Sequence, residues 1–274
     1  MYNPSQLVKQ LLDRTTLEKL LHELIQHSYG PSSKPIADWD GNEQEWKGVA
    51  ELISTLFNLV GEQNVDIIFN YSESPAETIF LGAINLGVFF HTFLREIPPM
   101  LVFHTPSDSA SEYVSNNRGY WKDMEIARKT YIESTGKKDT ESFIDFCIES
   151  GLVEKKSRKT AIIQVGMFQN MRLGTTYQLM PQARFPEILV DGKSIRTDAY
   201  IWNPLDDKFN LILECDGYEY HSTRNKFSND RIRDRILKAK GFDVMRFSGS
   251  EINRRPIEIS AEVIKYLERN MSGA

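Results

Sequence analysis

The hydrophobic and polar positions change their period along the chain. Over the first 70 residues apolar side chains recur at helical spacing: Leu7, Leu11, Leu12, Leu17, Leu20, Leu21 and Leu24 before Gly30, then Trp46, Ala50, Leu52, Ile53, Leu56 and Leu59 before Gly61. Two helical stretches are predicted there, joined by the loop "GPSSKP". From residue 71 the pattern becomes a mainly apolar helix opened by "SESPAE", in which Ser74 can cap, Pro75 suits the first helical position and Glu77 stands where a capping box places its acid. The most apolar part, residues 78–94, is slightly short for a membrane span and contains Asn85 and His91, so it reads as a buried helix.

Residues 96–160 have the weakest pattern. A strand "MLVFH" is expected, followed by a polar stretch and helical segments around "WKDMEIARKTYIES" and "TESFIDFCIESGLV"; an insertion or lid describes them most simply. The last third is clearer. "TTYQLMPQARF" and "SIRTDAYIW" read as strands, and "FNLILECDG" has the near-continuous apolar run of a strand buried on both faces. "NPLDDK" supplies the turn between the last two. A helix follows in "NDRIRDRILKAKG", with Ile232, Ile236, Leu237 and Ala239 inward and Arg231, Arg235 and Lys238 outward; then a strand "FDVMRF" and a helix "PIEISAEVIKYLERN". The chain therefore divides into an N-terminal helical region, 1–70, and an α/β domain, 71–274, that carries the insertion at about 96–174.

Composition changes this picture little: 41% hydrophobic and 26% charged residues are ordinary for a soluble globular protein. The two cysteines, Cys147 and Cys215, have no ligand-like spacing, and the N-terminus lacks a secretory pattern, so a cytoplasmic location without a membrane partner is expected. Charge matters more. The net value is −5, yet residues 1–70 hold 5 Lys/Arg against 10 Asp/Glu, while residues 219–255 hold 10 against 5. A local basic face can meet phosphates even on an acidic protein, because charges beyond roughly 8–10 Å are screened.

Chemistry concentrates where "FNLIL" runs into "ECDGYEYH". Glu214 and Asp216 alternate onto one face of a strand, and Asp198 on the neighbouring strand reaches that face if the register permits. Carboxylates so placed repel unless one is protonated or a cation joins them, and Mg²⁺ or Mn²⁺ accepts hard oxygen ligands of this kind. Such an ion meets both needs of phosphodiester hydrolysis, polarising phosphate and acidifying water. His221 reads equally as a general base, a phosphate donor or a packing histidine beside the strand end. Glu77 reads locally as a capping carboxylate. The arginines of "NDRIRDRILKAKG" either form intrahelical pairs or contact phosphate.

In this order, "SESPAE", "PQARF", "IRTDAYI", "LILECDGYEYH" and "DRIRDRILKAKGFDVMRF" resemble the very-short-patch-repair (Vsr-like) endonucleases, and more closely the related bacterial domains of that type in the PD-(D/E)XK nuclease superfamily. The resemblance covers residues 72–95 and about 175–270. It implies a restriction-endonuclease-like central mixed sheet flanked by helices, and a metal-dependent DNA nuclease. Glu77, Asp198 and Glu214 would be the acids, the carbonyl of Cys215 a further metal ligand, and Asp230 and Arg233 braces. Asp216 stands where the superfamily often has Lys, so His221, Arg224 or Lys226 would supply the positive charge. Arg196, Arg224, Lys226, Arg231, Arg233 and Arg235 are the candidate nucleic-acid contacts.

DNA is the expected substrate and RNA an alternative; bacterial repair, restriction and phage defence are all compatible with the resemblance. No cysteine-zinc cluster of the kind found in some mismatch-repair members is visible. Two other readings stand beside the nuclease: a non-cutting nucleic-acid or protein binding module on the same scaffold, and a small-molecule phosphohydrolase. A homodimer or a protein partner held through residues 1–70 would serve double-strand cutting, which requires two sites.

Overall fold

The computed structural model describes residues 67–68, 70–94, 100–153, 158–216 and 224–271. The helices expected before residue 67 lie outside them. The first long element is α1 (Pro75–Leu94), which Ser74 caps by accepting the Glu77 N–H at 3.2 Å. After β1 (Met100–Phe103) come α2 (Ala110–Thr135), α3 (Thr140–Glu149) and α4 (Arg158–Arg172). The core then closes with β2 (Thr176–Val190), β3 (Lys193–Trp202), β4 (Asn210–Asp216), α5 (Arg224–Ala239), β5 (Asp243–Ser248), α6 (Gly249–Arg254) and α7 (Pro256–Arg269).

The five strands form one sheet in the order β1-β2-β3-β4-β5. Its middle is an antiparallel meander, β2 to β4, and each edge is a parallel pair, β1 with β2 and β4 with β5. Parallel neighbours need a crossover: α5 makes one, and α2 to α4 make the other. The stretch 96–174 thus divides, with Met100–Phe103 entering the sheet as an edge strand and the three helices lying between two strands.

Helices cover both faces. On one, Phe80, Leu81 and Ile84 of α1 and Val263 and Leu267 of α7 pack on Leu179, Ile201, Leu211 and Leu213. On the other, Ala110 and Val114 of α2 and Leu237 of α5 pack on Met180, Tyr200, Trp202 and Ile212. Leu211, Ile212 and Leu213 are all fully buried, as the unbroken apolar run of β4 requires. Residues 78–94 thus belong to a helix whose Phe80, Leu81, Ile84 and Val88 are core residues, and among the described residues no helix is long and apolar enough to cross a membrane. On α5 one assignment changes: Leu237 is buried and Ile236 partly so, but Ala239, the residue at which the helix ends, is exposed.

The crossover helices have a core of their own, in which Trp121, Met124, Phe143, Val165 and Phe168 meet. Arg118 of α2 fastens this unit to the β3–β4 turn. Its guanidinium donates to the carbonyls of Asn203 (3.3 Å), Asp206 (3.2 Å) and Phe209 (3.2 Å) and to Asn210 Oδ1 (3.0 Å). Hydrogen bonds from a charged donor are worth about 1.5–3 kcal/mol. We expect Arg118→Met, which keeps the stem but leaves those acceptors unmet, to lower the unfolding free energy by about 2 kcal/mol in urea titrations; an unchanged midpoint would contradict the fastening.

Candidate active site

Two interruptions in the ladder place the acidic residues together. Between β2 and β3, Pro181↔Ala199 and Ala183↔Thr197 are paired, and the two residues between them, Gln182 and Asp198, are not. Gln182 has φ 50°, a left-handed conformation uncommon for a residue with a side chain. Between β3 and β4 the pairing stops at Ala199↔Leu213, while β4 and β5 stay paired through Asp216↔Ser248. Beyond the stop, Asp198 Oδ2 accepts the backbone N–H of Cys215 at 2.5 Å, so a carboxylate takes a donor that the main chain of β3 leaves free.

Glu77 approaches from the N-terminus of α1. One of its oxygens accepts the Glu73 N–H at 2.7 Å and the other accepts Gln182 Nε2, also at 2.7 Å. The capping reading is therefore met, with Glu73 rather than Ser74 as the donor, and the same carboxyl is also tied to the Gln182 gap. Its exposure is 1%, and that of Glu214 is 4%. A surface cap needs no such burial.

Glu214 has a cation beside it: Arg233 Nη2 of α5 lies 2.7 Å from its Oε1. The approach is close but not aligned as a hydrogen bond, and Glu214 Oε1 is a buried acceptor without one; Gln182 Oε1 is another. Arg233 also donates to the carbonyl of Arg196, whose own guanidinium pairs bidentately with Glu73. Arg233 thus braces β3 and β4 together. Asp216, expected beside Glu214 and Asp198, is engaged by Arg246 of β5 at 2.6 Å, and Arg246 also holds Asp234 at 2.8 Å.

The charges are only partly balanced. Burial, then the charge of Asp198, pushes Glu77 up from 4.5 to about 8. Burial also pushes Glu214 up to about 8; Asp198 and Asp216 add to the rise, and Arg233 and Arg246 oppose it. Asp198 is raised as well, again by burial first, although the Cys215 N–H and Arg233 pull the other way. Desolvation and the surrounding carboxylates push the Cys215 thiol well above its ordinary value, which keeps it protonated.

Glu77, Asp198, Glu214 and Cys215 thereby lie near enough for their charges to act on one another, with Arg233 beside Glu214 and Arg196 beside Glu73. Among the described residues no three His, Cys, Asp or Glu side chains converge into a ready metal cage. Each carboxylate is held by its own protein partner instead. The chemistry of the donor set still fits a hard divalent ion: mutually destabilised carboxylates, and a buried Glu214 oxygen lacking an aligned donor. His221 falls in 217–223, outside the described residues, and the side chains of Arg224 and Lys226 lie outside the description too. Arg231 and Arg235 are exposed on α5, and Arg233 is partly buried.

A family model described as REase_MTES_1575, a restriction-endonuclease-like family, matches residues 183–267. That interval holds Asp198, Glu214, Cys215 and Arg233, and stops short of Glu77 and Gln182. The match, on a five-stranded mixed sheet flanked by helices, supports a restriction-endonuclease-like domain of PD-(D/E)XK type and a nuclease-type function. No curated protein and no solved structure matches the chain.

The raised Glu77 has a signed consequence. Between pH 4.5 and about 8 the folded protein keeps a proton that the unfolded chain has released, so this contribution to stability is complete below about 4.5 and is lost as pH rises through about 8. In EDTA, the unfolding free energy of wild type minus that of Glu77→Gln is expected to fall with rising pH, by up to about 1.4 kcal/mol per pH unit. Urea titrations from pH 5 to 8 check this; a difference independent of pH would contradict the buried, protonated carboxyl.

Proposed function

We propose that the chain is a divalent-metal-dependent endonuclease that hydrolyses phosphodiester bonds of DNA. The observation that carries this reading is the meeting of the half-buried Asp198 and the buried Glu214, acids of adjacent strands, at the point where the β3–β4 ladder stops. Families of this type usually use divalent metals, and the match to a restriction-endonuclease-like family favours DNA as substrate. The order of the sequence motifs favours the very-short-patch-repair-like branch, and with it a role in bacterial repair, restriction or phage defence.

Asp198, Glu214 and the Cys215 carbonyl would hold Mg²⁺ or Mn²⁺, with Glu77 assisting directly or through water. When bound, such an ion polarises a phosphate oxygen and lowers the pKa of a water. The chain's own residues do the rest. The Cys215 N–H fixes the orientation of the Asp198 carboxylate, and Gln182 fixes that of Glu77. Arg233, already beside Glu214, supplies the positive charge that Asp216 does not, and can stabilise developing charge on a phosphate. His221 is the proposed proton carrier or phosphate donor. Arg196, Arg224, Lys226, Arg231 and Arg235 are proposed backbone contacts.

One observation favours the non-cutting alternative: Arg233 already offsets the charge of Glu214, as a scaffold relieved of its metal would need. Cleavage assays separate the two. With Mg²⁺ the wild type is expected to cut duplex DNA, and in EDTA to leave it intact. Asp198→Asn and Glu214→Gln are expected to reduce the rate by at least about 100-fold, the scale seen when one charge-stabilising group is lost, while duplex binding in Ca²⁺ persists. Wild-type cutting by either variant would overturn the assignment, and binding without cutting by the wild type would establish the alternative.

A further inference from the structure

We infer that the exposed face of the β2–β3 ribbon, centred on Arg184 and Arg196, is a track for the sugar-phosphate backbone of DNA that leads to the carboxylates. The inference rests on the nuclease reading and adds to it a surface and a residue, Arg184, that the pattern of the sequence does not mark.

One face of the ribbon packs against α2 and α5, and the other carries exposed side chains. It closes at Asp191-Gly192, both with positive φ (50° and 76°), a two-residue hairpin turn whose geometry matches the twist of the strands. Along it Arg184, Leu189, Ser194 and Arg196 are exposed, while Phe185, Ile188, Ile195 and Thr197 are buried. The register pairs Arg184 with Arg196 and Leu189 with Ser194, so these four positions share one face; Glu187, also exposed in the irregular stretch between Phe185 and Leu189, accepts a hydrogen bond from Ser111 of α2. The inner face is anchored in the core through Phe185, Ile188 and Ile195.

Two arginines directly opposite one another place their Cβ atoms about 4.5–5.5 Å apart, an arrangement that destabilises a sheet unless an anion intervenes. Arg196 has one in Glu73. Arg184 has no hydrogen bond or ion pair among the described residues. The pair also stands two residues from the unpaired Gln182 and Asp198, roughly 7 Å along the strands. An uncompensated guanidinium beside a candidate phosphodiester site is placed for a backbone phosphate, and a two-stranded ribbon is a shape that the major groove admits. A phosphate arriving at Arg184 would also reach Arg196 and compete with Glu73 for it.

The test is duplex DNA binding by fluorescence anisotropy in EDTA, across KCl concentrations, with the full chain. Losing one phosphate contact should reduce the slope of log K against log[salt] by about 1. We expect that reduction for Arg184→Ala and a near wild-type slope for Arg184→Lys. Lys138→Ala, a charge removed from the exposed α2–α3 connection, should leave the slope unchanged. A wild-type slope in Arg184→Ala, or an equal loss in Lys138→Ala, would overturn the track while leaving the nuclease reading intact. Failure of the wild-type protein to bind DNA at all would overturn both.

Discussion

The arrangement depends on one hydrogen bond, from the backbone N–H of Cys215 to the carboxylate of Asp198. A strand buried on both faces must satisfy each of its backbone donors, and β4 leaves this one to a side chain. The exchange does two things. It ends the β3–β4 ladder at Ala199↔Leu213, and it fixes an acid in the resulting gap beside Glu214, at the edge of a core made by Leu211, Ile212 and Leu213. Charge placed there cannot be dispersed into water, which is why Glu77 and Glu214 are both held up near 8.

The remainder of the fold brings partners to that gap. α1 presents Glu77 from its first turn, with the Gln182 amide as the bridge to β2. α5 presents Arg233, and β5, parallel to β4, presents Arg246 to Asp216. The charged groups therefore come from three strands and two helices, and the Gln182 amide from a fourth strand, all locked in place by the hydrophobic layers. The crossover helices supply none of these side chains: α2 packs on the inner face of the ribbon through Ala110 and Val114 and fastens to the far end of β3 and β4 through Arg118.

Much of this was legible in the sequence, for identifiable reasons. The strands of the last third follow from period-two alternation and from the unbroken run before Glu214, and the helices between them from their caps and stripes. The proximity of Asp198 to Glu214 follows from a hairpin of known turn. Other features depend on contacts distant in sequence. Nothing local in "MLVFH" says that it pairs with β2 more than seventy residues later. Nothing in "PQARF" says that Gln182 adopts positive φ and reaches Glu77. Arg118 in a helical stretch reads as a surface charge, although it holds three carbonyls of a distant turn. One local signal was available: Asp191-Gly192 between alternating strands is the composition of a tight hairpin, and it marks the tip of the ribbon. Ala239 shows the opposite error, a helical stripe carried two residues past the last buried one, Leu237.

On the proposed reading, Asp198, Glu214 and Glu77 together seat one divalent cation. Mn²⁺ binding to the metal-free protein, followed by calorimetry or by electron paramagnetic resonance, addresses it without reference to any substrate. One saturable site per chain is expected in the wild type, lost in Asp198→Asn and retained in Arg184→Ala. Saturable binding that survives Asp198→Asn unchanged, or no binding by the wild type at all, would contradict it.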